Sequence, residues 1–413
     1  MIRRPIISLL IAEAVSMTGS RVSVVAVPWL VLITTDSPTR VGVVTFAQAL
    51  PFVFASLLGG PLVDRLGARR TAIAADSASA VTIAIVPLLY AQGALSFGWL
   101  LAVVTVSGAL GGCGETAKRA LLPRVIEASG MTMSRGTALY DGVNRSATLL
   151  GLPLAGVLIA AMGAAPVLIV DAASFALGVV VLVAGIRPSE ATVEGERPHE
   201  PYGAALKAGL SYFRKDGLVA AILVMLFVTN LLDQAYNAIF VPVWVRDAGA
   251  EPIWLGLLGG AFGLGAVLGN IVYTALANRL PRHMTFAVCF LLAGSPRFFA
   301  MNLSDSTWLV LLVAFGAGLA IAAVNPILFA VGYERIPPHM QGRVFGAIGA
   351  LAWAGIPLGS LAGGIAVDTA GLRITLLVAA GLYLAMTLVP FLVPRWRELD
   401  QKPENTPAEA VTA

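Results

Sequence analysis

Charge is scarce in this chain. Only 12% of its 413 residues are Asp, Glu, Lys or Arg, whereas a soluble domain carries about 25%. Cysteine is scarcer still. Cys113 and Cys289 are the only two, too few for a disulfide framework and wrongly spaced for a metal or redox pair. They read as small apolar core residues. The three histidines, His199, His283 and His339, fall in or beside predicted loops, where they read as solvated and unsuited to a proton relay inside a membrane. No Walker loop, nucleophile triad or metal-ligand cluster is present. These absences argue against an ATP-driven pump and against an enzyme, and they call for no cofactor and no metal. The formal charge of +4 suggests no nucleic-acid partner.

What is there is apolar sequence. Hydrophobic residues make up 58% of the chain, and mean hydropathy is +0.85. A bilayer core of about 30 Å needs about 20 apolar residues per helical crossing. Twelve runs meet that length: 6–34, 40–62, 71–91, 97–121, 136–162, 165–186, 218–245, 253–277, 284–302, 307–333, 343–368 and 371–394. The basic start "MIRRPIISLLIAEAV" leads into an apolar run too long for a secretory signal, so it reads as a retained signal-anchor helix.

An even number of spans puts both termini on one side. On that side fall 21 Lys and Arg, Lys118 and Arg119 among them; the other side holds Arg40, Arg246 and Arg373, and Arg21, Arg145 and Arg297 lie within spans. That bias predicts cytoplasmic termini in a multi-pass protein of the cytoplasmic membrane. Trp29, Trp99, Trp244, Trp254 and Trp308 fall at the predicted outer helix ends, as interfacial aromatics do.

The polar stretch 187–217 divides the spans six and six. The expected organisation is an N-terminal bundle (1–186), a cytoplasmic linker (187–217) with an amphipathic helix near 202–214, a C-terminal bundle (218–394) and a disordered tail (395–413). The halves repeat. Residues 40–66 align without gaps on 254–280, with Gly42 on Gly256, Asp64 on Asn278 and Arg65 on Arg279. "GLPL" at 151–154 returns as "GIPL" at 355–358. A parallel duplication of six-span halves predicts an all-α membrane protein of twelve helices in two pseudo-symmetric bundles, with the substrate site between them near the midplane.

"GGPLVDRLGARR" at 59–70 resembles the loop motif between spans two and three of major facilitator transporters, here Gly60, Asp64, Arg65, Gly67, Arg69 and Arg70. The stretch from "LPRVIEASG" to "VDAASF", "PWLVL" in span one and "GRVFG" at 342–346 are similar to the macrolide-efflux and Tap-like multidrug exporters, the third drug:proton antiporter branch. The resemblance covers the whole chain. It implies export of amphiphilic drugs by proton antiport and alternating access, by a monomer in the bilayer. A dedicated exporter of one natural product or siderophore is the alternative, ahead of solute uptake. Of the span-five antiporter motif, Pro153 and Gly156 remain, flanked by Leu152 and Val157 rather than glycine.

Gly67 permits a tight turn, and Asp64 lies where it can meet the positive N-terminal end of span eleven near Gly342–Arg343. By resemblance that contact closes the cytoplasmic side. Charges inside spans point to function. Asp76 and Glu115, the latter with Arg119 one turn on, read as an inner-surface ion network, Asp171 as a structural or gating residue, and Arg297 as a snorkelling cation. The deeper charges are Glu13, Arg21, Asp141, Arg145 and Asp233. Asp233, Glu13 and Asp141 are the proton-coupling candidates. Arg21, Arg145, Asn230, Gln234 and Asn237 are the candidates for lining the substrate cavity. Arg21 and Asp233 are expected to match across the halves, and Asp141 and Arg145 are spaced as an i,i+4 pair. Static bridges between these pairs, holding helices together, are the alternative to transport coupling.

Overall fold

The computed structural model describes residues 4–187, 211–213, 216–277 and 279–401, without the side chains of Pro61, Asp64, Pro338, His339 and Gly342. Among the described residues twelve helices are long and apolar enough to cross a membrane. They are α1 (Arg4–Thr35), α2 (Pro38–Leu58), α3 (Ala68–Ala91), α4 (Phe97–Ala128), α5 (Met133–Met162), α6 (Ala164–Gly185), α7 (Gly217–Asp247), α8 (Ile253–Leu276), α9 (Arg282–Leu303), α10 (Thr307–Arg335), α11 (Pro338–Ala370) and α12 (Leu372–Leu392). Lipid offers no hydrogen bonds, so each span satisfies its backbone internally as a helix.

Local chemistry sets the ends. Ser37, Ser96 and Asp216 cap α2, α4 and α7 by accepting from backbone N–H groups of Arg40, Trp99 and Leu218. Gly163 joins α5 to α6 and Gly371 joins α11 to α12, each a single residue at positive φ, +85° and +79°. The same one-residue glycine joint recurs in both halves, which is the duplication expressed as geometry.

Packing repeats as well. In the first half α1 packs on α5 and α6, α2 on α4, and α3 on α6; in the second α7 packs on α11 and α12, α8 on α10, and α9 on α12. Two six-helix bundles result. They meet along α2–α11 and α5–α8, where small residues bring backbones together. Gly42 lies against the backbone of Ser360 and Leu361, Gly364 against Pro38, and Gly156 against Ile253 and Gly256.

These crossings all lie in the half remote from the termini. At that far face Asp368 of α11 accepts from the Thr39 backbone N–H at 2.9 Å and from Ser37 Oγ at 3.0 Å, and Arg246 pairs with Asp36 at 2.6 Å. The bundles are therefore latched together there. In the terminal half Gly142 of α5 and Gly346 and Gly349 of α11 face open space, and Asp141 and Arg145 are exposed. The bundles are joined at the far face, and the backbone crossings named above stop short of the terminal face.

Two expectations change. Residues 395–400 do not begin a loose tail: Pro394–Asp400 forms a 3-10 helix with Trp396 and Leu399 buried. Trp396 stacks on Phe286, so an aromatic anchor overrides polar composition. His283 is not solvated. Its ring Nε2 lies 2.7 Å from the Pro390 carbonyl and its backbone N–H donates to Asp400. The predicted helix at 202–214, His199 and residues 402–413 lie outside the described residues, save 211–213.

Candidate functional site

The buried charge of the first bundle gathers around Lys118. Helix α4 continues to Ala128, past the predicted end at 121, and carries Lys118 on the buried stripe that includes Leu121, Leu122 and Val125. Its ammonium lies 3.3 Å from Glu13 Oε2 on α1 and 3.3 Å from Asp76 Oδ2 on α3. It also donates to Ser16 Oγ at 3.0 Å, and Tyr140 of α5 donates its hydroxyl to Glu13 Oε1 at 2.8 Å. All three charged groups are buried. Four helices thus converge on two carboxylates and one ammonium, a formal charge of −1. Burial of that kind is costly unless every charge is paired, and here one carboxylate is in excess.

The second bundle answers with a neutral pair. Arg297 of α9 donates to Asp233 of α7 at 2.7 Å, and the Tyr383 hydroxyl lies 3.3 Å from the other Asp233 oxygen. The guanidinium sits over the rings of Tyr236, Phe262, Phe298 and Tyr383, 5.0–5.9 Å from their centroids, so cation–π attraction replaces part of its lost hydration. Two helix irregularities build this cage. In α7 the residues Tyr236–Phe240 form a π-helical turn. Helix α9 breaks at Gly294 and restarts at Ser295-Pro296, and the Tyr383 ring occupies the space a side chain on 294 would need.

A third carboxylate, Asp171 of α6, is fully buried. It accepts from Ser23 of α1 and from Ser174. Among the described residues only these hydroxyls bond it.

Between α1 and α5 lies a cavity of about 360 Å³ lined by Ala14, Thr18, Leu139, Gly142, Ser146 and Leu150, with three further residues of α5. Its walls are small and apolar. One residue beyond Leu150, Gly151 packs against the stem of Arg21. Among the described residues Arg21 has no hydrogen bond or ion pair, and its Nε is buried without an acceptor.

The sequence matches the family described as transmembrane secretion effector over residues 2–413. The chain belongs to that family. It is a major facilitator transporter and not an enzyme. It is similar to the multidrug efflux pump Tap of Mycobacterium tuberculosis strain H37Rv, 30% identical over 97% of this chain and 96% of that protein. It is similar to macrolide efflux protein A of Streptococcus pyogenes, 19% identical over 94% and 96%. The fold is shared with the nucleoside transporter NupG, with a TM-score of 0.71 at 14% identity over 94% and 98% of the two chains.

The transporter places its predicted residues unevenly. Asp233 is held by Arg297, not matched by Arg21, because the break at Gly294 turns Arg297 into the bundle rather than toward the membrane surface. Asp141 and Arg145 make no bridge with each other; both are exposed, and neither lines the cleft between α1 and α5. The cavity candidates on α7 find separate surroundings. Asn230 donates to the Ala352 carbonyl of α11 at 3.1 Å, Asn237 donates back to the Asp233 carbonyl at 2.7 Å, and Gln234 is half-buried.

In the loop motif Gly67 adopts φ +85° and Gly60 faces open space. Arg69 donates to the Ile186 and Val183 carbonyls, tying α3 to the end of α6. Arg65 and Arg70 are exposed, and the Asp64 contact lies outside the described side chains. Pro153 packs on Gly260 and Gly156 on Gly256, placing the span-five pair in the bundle interface. Lys118, Tyr140 and Tyr383 belong to the candidate site and were missed by sequence reasoning. For Lys118 the signal was present: it stands in the i, i+3, i+4 register of buried leucines.

Proposed function

We propose that this protein is a drug efflux transporter of the cell membrane, monomeric, with cytoplasmic termini, driven by proton antiport. The observation that carries the reading is the buried Glu13–Lys118–Asp76 cluster with its excess carboxylate. One ammonium satisfies one negative charge. A proton taken up on either carboxylate brings the cluster to neutrality, and a proton lost returns it to −1. That change of charge inside a low-dielectric bundle alters the cost of moving the bundle's wall between water and lipid-buried surroundings.

The other candidates take different roles in this reading. Asp233 is neutralised by Arg297, with about a third of its side chain still exposed, and serves to anchor α7 to α9. Asp141, Arg145 and Gln234 line the water-facing cavity. The apolar cleft between α1 and α5 receives the lipophilic part of an amphiphile. In this reading substrate loads from the cytoplasm at the terminal face, and release follows when the latch of Asp368, Asp36 and Arg246 parts. The similarity to Tap and to macrolide efflux protein A supports the direction of transport and the amphiphilic substrate class.

The test is Glu13→Gln, which makes the cluster permanently neutral. Efflux of ethidium from energised cells is expected to fall at least about tenfold, the size of losing one proton-coupled step. Exchange of ethidium across proteoliposomes without a pH gradient is expected to persist. Wild-type efflux in that variant would end the assignment of coupling to this cluster.

A further inference from the structure

Arg21, one turn along α1 from the cleft residue Thr18, is half-buried and has no direct partner among the described residues. Each charged or titratable group on the elements packed against α1 at this depth is otherwise engaged or solvated. On α4, Glu115 is held by Arg119 at 2.8 Å, and Lys118 belongs to the buried cluster. On α5, Tyr140 bonds Glu13, while Asp141 and Arg145 are exposed. On α6, Asp171 is bonded by hydroxyls. On α7, Asp233 and Tyr236 enclose Arg297. On α3, Asp76 faces Lys118, and α2 has no charge at this depth.

The negative charges whose field reaches Arg21 are Glu115 and Glu13. Of the two, Glu115 acts more strongly on Arg21, and Glu13 lies two turns nearer the terminal face on the same helix. Glu115 is permanently compensated by Arg119. The compensation that can vary is that of Glu13, whose cluster carries the excess carboxylate.

We propose that Arg21 is the positioning residue through which a cationic amphiphile senses the proton load of the Glu13–Lys118–Asp76 cluster. With the cluster deprotonated, its excess negative charge offsets Arg21, and the cleft beside Thr18 and Ser146 accepts a lipophilic cation. With the cluster protonated, Arg21 stands uncompensated and drives the cation out. The substrate and the proton then compete without sharing an atom. This rests on the proposed proton coupling at that cluster.

The experiment measures binding of tetraphenylphosphonium to the full-length protein in nanodiscs from pH 5.5 to 8.5. In wild type, Kd is expected to rise up to about tenfold per unit fall in pH across the titration, the linkage slope for one competing proton. In Arg21→Gln the whole change is expected to shrink below about threefold, with the low-pH Kd tightened. Arg21→Lys keeps the charge and is expected to restore most of the slope. Glu13→Gln probes the same effect without touching Arg21 and is expected to weaken binding at pH 8.5 about tenfold. A wild-type slope in folded Arg21→Gln, or a wild-type Kd at pH 8.5 in Glu13→Gln, overturns the role of Arg21. A flat profile in wild type overturns the coupling reading and this role with it.

Discussion

Lys118→Ala is expected to be the most damaging single change in the first bundle. It removes the only cation that contacts Glu13 and Asp76 among the described residues. Two buried carboxylates would then be left without a cation, with Tyr140 still donating to Glu13. Breaking a buried ion pair by deleting one partner costs about 3–5 kcal/mol. In a protein of this size that corresponds to an apparent melting midpoint lower by about 3–6 °C. Fluorescence-detected gel filtration after heating measures it directly. The triple variant Glu13→Gln, Asp76→Asn, Lys118→Met removes the charges together and is expected to recover most of the stability while abolishing proton coupling. A wild-type midpoint for Lys118→Ala would mean that the cluster does not hold α1, α3 and α4 together.

The second large effect is expected at the bundle interface. Gly156 and Gly256 meet backbone to backbone where α5 crosses α8. No side chain fits between them. Gly156→Leu inserts four carbons into that crossing, and overpacking costs about 1–3 kcal/mol. Applied to the equilibrium between far-face-closed and far-face-open states, that is a shift of about 5–150-fold toward opening. Transport is expected to stop while the protein still folds, since each bundle keeps its own core. Ser37→Cys, at the far-face latch, is expected to label faster with a membrane-impermeant thiol reagent in the Gly156→Leu background. Unchanged labelling with unchanged transport would show that the crossing tolerates a side chain and that closure does not depend on it.

The fold was legible because it rests on coarse quantities. Apolar runs of membrane length, the bias of basic residues and the gapless repeat between 40–66 and 254–280 are summed over many residues, so errors of a few positions do not matter. The site depends on single contacts, and there two local events decided the outcome. A straight-helix reading of α7 and α9 pairs Asp233 with Arg21 by depth. In the structure Arg297, just past the helix break at Gly294, meets Asp233 instead, and the π-turn at Tyr236–Phe240 puts Tyr236 against the guanidinium. The "AGSPR" run held a helix-restart signal, a Pro at the start of a new helix, which hydropathy alone does not weigh.

Lys118 illustrates the opposite failure. By hydropathy alone the apolar run ends at 121, and Lys118 falls with the basic residues of the terminal side. The buried stripe of α4 continues through Val125 and Ile126, and an ammonium on that stripe must find carboxylates or distort the helix. Glu13, chosen for its charge in a span, and Asp76, assigned to a surface network, are those carboxylates. The charges were visible singly; their three-way contact required the geometry of four helices.

The central claim is that proton movement drives substrate movement in the opposite direction. Wild-type protein reconstituted in proteoliposomes with an imposed pH difference tests it most directly, with tetraphenylphosphonium distribution and internal pH followed together. The expected result is accumulation of the cation in the acidic compartment, accompanied by proton flow out of that compartment, and no accumulation when the gradient is collapsed. Equilibration to equal concentrations with the gradient intact, or accumulation that survives its collapse, would contradict proton antiport by this protein.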